Sequence, residues 1–193
     1  MPIPFTSEEQ TAIRRKLLEA ARDAVMDMPV RKVTVEQLTK AAGISKGAFY
    51  KFYDTKELLF YALMRRLHDE IYAPAMSILT EPSALSPAEI LTRCILLGCE
   101  ALENSGMKRF WTEDSAEVMA AVPMELRTEQ HAAETELFRQ FLRQHGTLRV
   151  SETLAIDAIR ALILTVISRN VLSENYPTIL QWMTQGVCDA IFA

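Results

Sequence analysis

Glycine and proline are scarce in this chain. Six Gly and eight Pro stand among 193 residues, about 7% where roughly 12% is average. All-β folds need turn residues every few positions and α/β folds need glycine-rich loops, so the sequence weighs against both. Cysteine is scarce as well. Cys94, Cys99 and Cys188 are odd in number and form no C-x-x-C pair. That weighs against a disulfide scaffold and reads as small buried hydrophobes in a reducing compartment. Long apolar runs are missing. The densest, Ala161–Ile167, falls far short of the ~20 residues that span a bilayer. The opening Met1-Pro2-Ile3-Pro4-Phe5 has no basic stretch followed by an apolar one, so no signal peptide is expected. The expected location is cytoplasmic, with no membrane partner.

Catalytic and metal signatures are absent too. There is no P-loop, no G-x-S-x-G, no paired Glu-x-x-His and no metal-spaced set of Cys and His. His68, His131 and His145 are isolated from one another, and His131-x-x-Glu134 is a lone spacing. The expectation is therefore no enzyme, no cofactor and no metal.

What is present is helix-forming sequence. Ala, Leu, Met, Glu, Gln, Lys and Arg supply a hundred of the 193 residues, so the fold expected is all-α. Helix starts are marked by capping boxes. Ser7-Glu8-Glu9-Gln10 opens a helix whose Ile13, Leu17, Ala20, Ala21 and Val25 recur at helical spacing, ended by Pro29. Thr34-Val35-Glu36-Gln37 opens a short helix closed by Gly43, and Ser45 caps another running to about Phe52. Asp54-Thr55-Lys56-Glu57 opens a long helix to residue 73, which Pro74 should kink or end. Thr80–Ser86 reads as a linker. Beyond it, helices are expected from Ser86-Pro87 to about Asn104, over Lys108–Ala120, from Pro123 to Gly146, over Ser151–Val171 and over Tyr176–Phe192, about nine in all.

Residues 34–53, TVEQLTKAAGISKGAFYKFY, carry the most information. Two short helices meet at Ala42-Gly43-Ile44, where Gly43 can take the positive φ that a helix-turn-helix corner requires. Val35, Leu38, Ala42, Ile44 and Phe49 supply apolar faces on both sides of the turn. Ser45, Lys46, Gly47, Tyr50 and Lys51 crowd the start and outer face of the second helix. A helix start suits phosphate. Lysines add charge, the Tyr50 hydroxyl can donate to a phosphate oxygen, and Gly47 and Ala48 let a helix press against base edges.

With these features this segment resembles the TetR family of bacterial transcriptional repressors, in which it is followed by a long helix opening on Ser/Asp-x-Lys-Glu. Asp54-Thr55-Lys56-Glu57 matches that motif. The resemblance covers roughly residues 10–60. It implies a three-helix DNA-binding domain over residues 1–54 and an effector-binding and dimerisation domain over residues 55–193. It also implies that Thr34, Tyr50 and Lys56 contact phosphates, that Lys46, Gly47, Ala48 and Lys51 face the major groove, and that Phe49 and Tyr53 are core. Thr39 and the pair Phe52-Tyr53 depart from the family pattern, which usually has Ala at the first and an aromatic or His followed by Phe at the second. Thr39 is small enough to fit, and whether Phe52 touches DNA or packs stays open.

The net charge of −4 divides unevenly. Residues 1–60 hold ten basic and eight acidic side chains, and residues 61–193 hold eleven and seventeen. The head is modestly basic, and Arg14, Arg15, Lys16, Arg31 and Lys32 add to its reach. The rest is acidic and more apolar. Ile159, Leu162, Ile163 and Val166, with Ile179, Met183 and Val187 on the last helix, are expected to pair two copies, with Gly186 allowing close approach. Cys94, Met107, Phe110, Trp111, Met119, Phe138 and Phe141 are candidates for a cavity holding an apolar or aromatic effector. The expected partners are a palindromic operator in double-stranded DNA, a small-molecule effector and a second copy of the chain. An activator of the same fold, or a helical bundle that binds no DNA, are the alternatives.

Overall fold

The computed structural model describes residues 5–167 and 174–193, leaving aside the side chains of 128–134, 166 and 167. His131, Glu134, Val166 and Val171 therefore lie outside what is described. Nine α-helices are described: α1 (Ser7–Asp27), α2 (Val35–Ala42), α3 (Lys46–Phe49), α4 (Lys56–Ser77), α5 (Pro87–Asn104), α6 (Ser115–Ala121), α7 (Met124–Gln144), α8 (Glu152–Ile167) and α9 (Tyr176–Ile191). A 3-10 turn spans Val30–Lys32, and a π-turn spans Phe110–Asp114. None of these helices is long and apolar enough to cross a membrane.

Most of the expected boundaries hold, and the differences have local causes. The first cap is Thr6, not Ser7: the Glu9 amide donates to its hydroxyl, and its own amide donates to the Glu9 carboxylate at 2.8 Å. Thr55 rather than Asp54 accepts the Leu58 amide at the start of α4. Pro74 lies inside α4, which runs on to Ser77. Thr34 and Ser86 form the complete boxes that their sequences suggest. Helical backbone does span 108–121, but the π-turn interrupts it, and no residue pattern announced that.

The chain divides into two compact units. The first combines Met1–His68 with Gly106–Pro123, and the second combines Asp69–Ser105 with Met124–Ala193. In the first, α1 buries Ile13, Leu17, Ala21 and Val25 together with Leu38, Phe49, Leu59, Phe60 and Phe110. Phe60 and Phe110 meet with ring centres 6.3 Å apart. In the second, Leu91, Cys94, Phe141, Ile156, Ile159, Leu162 and Cys188 form a single buried cluster. Burial pushes the Cys94 thiol up to about 12 and the Cys99 and Cys188 thiols up to about 11.

Candidate nucleic-acid interface

The corner between α2 and α3 is built from its own residues. Gly43 sits at φ 70°, ψ 34°, a left-handed conformation that other residues adopt at a penalty. The Ile44 amide then reaches back to the Thr39 carbonyl at 3.0 Å. Thr39 is buried, its hydroxyl donating to the Glu36 carbonyl at 3.1 Å. A threonine is thus accommodated without leaving a polar atom unpaired. Phe49 is fully buried beneath α3 and anchors it.

Over that anchor, Ser45, Lys46, Gly47, Tyr50 and Lys51 are exposed and Ala48 is half-buried. The Ser45 hydroxyl accepts the Ala48 amide at 3.1 Å. Among the described residues, a Cβ added to Gly47 would meet nothing within 4 Å beyond its own stretch of helix, so the space in front of it is open. Tyr50 is 47% exposed, its ring set edge-on against Phe49 at 5.3 Å. The regular part of α3 is only Lys46–Phe49, with turns continuing to Phe52. It is shorter than expected, and one helical turn has little macrodipole. This face therefore offers a partner side chains and close backbone approach rather than a helix dipole.

Lys46 is paired with Glu36 of α2. The hydrogen bond from Lys46 draws the Glu36 carboxyl below its ordinary value, and the same contact raises the Lys46 ammonium. Thr34 is exposed at the head of α2, its hydroxyl accepting the Gln37 amide at 3.2 Å. Lys56 occupies a more enclosed position. Its ammonium donates to the carbonyls of Val30 and Val33, both at 2.9 Å, and so ties the 3-10 turn to the start of α4.

Phe52 packs against protein. Its ring lies 5.9 Å from Phe5, and the Arg14 guanidinium lies 5.4 Å above it and 5.8 Å from the Tyr53 ring. Tyr53 is half-buried, and burial raises its hydroxyl pKa. Arg14 therefore serves this aromatic cluster, and Arg15 faces Glu19 at 3.9 Å. Arg31 and Lys32 stay exposed in the 3-10 turn.

The candidate effector residues fall in both units. Met107, Phe110, Trp111 and Met119 belong to the first, and Cys94, Phe138 and Phe141 to the second. Cys94 and Phe141 are sealed in the buried cluster of the second unit, with Phe138 packed against it. The Trp111 indole N–H is buried with no acceptor in reach. A cleft of about 380 Å³ between α5 and α9 is lined by Glu89, Arg93, Leu96, Leu97, Glu100 and other residues, none of them an expected effector contact.

The candidate dimer residues also divide. Ile159 and Leu162 are buried in the chain's own core, because that side of α8 faces the rest of its unit. Ile179 and Val187 are half-buried. Ile163 and Met183 are exposed, and with them Leu154, Leu164 and Trp182, the last 70% exposed. None of these three is among the expected pairing residues: Leu154 and Leu164 belong to the run of apolar residues read in α8, and Trp182, on a helix that is otherwise mostly apolar, is the signal that was missed. Among the described residues, a Cβ added to Gly186 would meet nothing within 4 Å beyond its own stretch of helix. Among the described residues no three His, Cys, Asp or Glu side chains cluster as metal ligands would.

A short glycine-cornered helix pair on a buried aromatic anchor, with polar and basic residues facing outward, defines a helix-turn-helix protein. Residues 17–63 match the family model described as bacterial regulatory proteins, tetR family. The HTH-type transcriptional repressor Rv1474c of Mycobacterium tuberculosis is 28% identical over 137 residues, covering 67% of this chain and 73% of that protein. The HTH-type transcriptional repressor KstR2 of Mycolicibacterium smegmatis is 27% identical over 62% of this chain and 58% of its own length. Among solved structures, the transcriptional regulator FadR from Bacillus subtilis in complex with stearoyl-CoA superposes with a TM-score of 0.66 at 16% identity, over 91% of this chain and 95% of that one. Together these comparisons indicate a transcriptional regulator of the TetR family, with the family model matched over residues 17–63. Its named relatives are transcriptional repressors, not enzymes.

Proposed function

We propose that this DNA-binding regulator is a repressor that binds a palindromic operator as a homodimer. In this reading residues 1–54 read DNA, and residues 55–193 hold the effector and pair the two copies. The observation that carries it is the exposed face of Ser45, Lys46, Gly47, Tyr50 and Lys51 over the buried Phe49. Lys46 and Lys51 supply charge, and the Tyr50 hydroxyl and Thr34 hydroxyl can donate to phosphate oxygens. Open space before Gly47 allows a base edge or thymine methyl to approach. The Lys56 ammonium contributes through the carbonyls it holds, fixing the turn that precedes Thr34.

Pairing through α8 and α9 is supported by Ile163, Leu164, Trp182 and Met183, large apolar side chains in contact with water in the single chain. Two copies would set two heads about one helical turn of DNA apart, as a pseudo-palindrome requires. An apolar effector is supported by Phe110, Trp111, Met107 and Met119 on and around the π-turn, an irregularity frequent at functional sites. The unpartnered Trp111 N–H offers such a molecule one hydrogen bond. The structural neighbour solved with stearoyl-CoA and the ketosteroid regulator KstR2 point toward apolar ligands in this fold. The effector relieves repression by binding the DNA-free state more tightly than the DNA-bound one, leaving the dimer intact.

The test is fluorescence anisotropy of the purified protein on the DNA flanking its own gene, over a range of salt. Salt-dependent binding that is lost in the Lys46→Ala, Tyr50→Ala double variant supports the reading. Unchanged binding by that variant contradicts it.

A further inference from the structure

Resting on the DNA-reading role just proposed, we infer that Glu36 is a selectivity residue that restrains binding to indiscriminate DNA through its pair with Lys46. Glu36 lies in the first turn of α2 and Lys46 is the first residue of α3, so the glycine corner folds the two side chains against each other. Both remain in water, with Lys46 55% and Glu36 63% exposed. The carboxylate thus stands on the face proposed to meet DNA, where Lys46 is its side-chain partner and the start of α2 its only other claim. Capping of α2 falls to Thr34 and Gln37, and burial of its inner face to Leu38, Thr39 and Ala42.

Affinity for any duplex comes from cations that displace counterions from phosphates. While Lys46 is paired with Glu36, moving it to a phosphate breaks an ion pair and leaves a carboxylate facing a polyanion. That penalty applies on every sequence. A matching sequence can offset it, because a cytosine amino group in the major groove donates to a carboxylate. Random sequence offers no such compensation at a fixed register. Glu36 therefore lowers non-specific binding more than specific binding.

The experiment uses the full chain and two probes: a short mixed-sequence duplex, and the gene-flanking DNA. Glu36→Gln keeps the shape of the side chain and removes its charge. On the mixed-sequence duplex, Glu36→Gln is expected to tighten binding roughly fivefold at low salt. It is also expected to steepen the slope of log K against log salt by about 0.9, the contribution of one more neutralised phosphate. The gain on flanking DNA should be smaller, so the specificity ratio falls. In a Lys46→Ala background Glu36→Gln should give a smaller gain, from the lost carboxylate repulsion alone, and should not steepen the salt slope. An equal gain with and without Lys46, or no gain at all, overturns the inference while leaving the DNA-reading role standing. If Lys46→Ala alone leaves binding to both probes unchanged, the assignment of that face fails and the inference fails with it.

Discussion

Gly43 shows how one residue fixes a site. Its φ of 70° turns α2 into α3, and an added Cβ would meet no neighbour. Any penalty at this position is therefore conformational rather than steric. Gly43→Ala should destabilise the chain by roughly 1–2 kcal/mol, the usual size of the left-handed penalty, as read by urea unfolding. An unchanged midpoint would show that the corner can relax. The glycine, the Thr34, Ser45 and Ser86 caps and the Phe49 anchor were legible in the sequence because each follows from local chemistry. The partners of Lys56, Arg14 and Lys46 were not. A long cationic side chain reaches carbonyls, rings or carboxylates that only the tertiary fold brings near it, so three charges of the head turned out to be engaged by the protein itself.

Among the elements, the segment that follows α5 departs most from expectation. Its helix was foreseen, but the π-turn within it was not, because periodicity reports which face is apolar and not one extra residue in a turn. That turn places Asp114, 3% exposed, where one carboxylate oxygen accepts the Val30 amide at 3.3 Å and the other faces Arg109 at 3.5 Å. Arg109 in turn donates to the Val25 carbonyl near the end of α1. The 3-10 turn of Val30–Lys32 is thus gripped at its amide by Asp114 and at its carbonyls by Lys56, immediately before Thr34. Asp114→Ala leaves the buried Val30 N–H without its acceptor and the half-buried Arg109 guanidinium without its carboxylate, with only the Val25 carbonyl described as its remaining partner. A loss of about 1–3 kcal/mol in unfolding free energy is expected, and hydrogen exchange at Val30 should quicken. Full protection of that amide in the variant would mean that the contact adds nothing. The α8 stripe carries a similar lesson. A helix that reads apolar on nearly all sides has two claims on its surface, and Ile159 and Leu162 went to the core while Ile163 and Leu164 stayed outside.

For the whole molecule, the sequence charge of −4 conceals the division that matters, a basic head and an acidic remainder. Composition was enough to read an all-α chain, and the motif of residues 34–53 with its family resemblance carried the reading as a regulator. The residues of its interfaces were harder, because pairing of copies depends on which apolar side chains the single chain leaves in water. Trp182, 70% exposed on α9, is the strongest of these. Tryptophans at the centre of an interface commonly contribute about 2 kcal/mol or more, so Trp182→Ala should raise the dissociation constant of the proposed dimer by roughly tenfold or more. Sedimentation over a range of concentrations measures this, and a variant that stays as dimeric as the parent would move the interface elsewhere. The face of Ser45, Lys46, Gly47, Tyr50 and Lys51 proposed to read DNA is central. Its most direct test is the affinity of the protein for the DNA flanking its gene, with and without Lys46→Ala and Tyr50→Ala, in variants shown by circular dichroism to fold. The account predicts a loss of affinity and a shallower salt dependence in the double variant. Affinity and salt slope equal to those of the parent would contradict it.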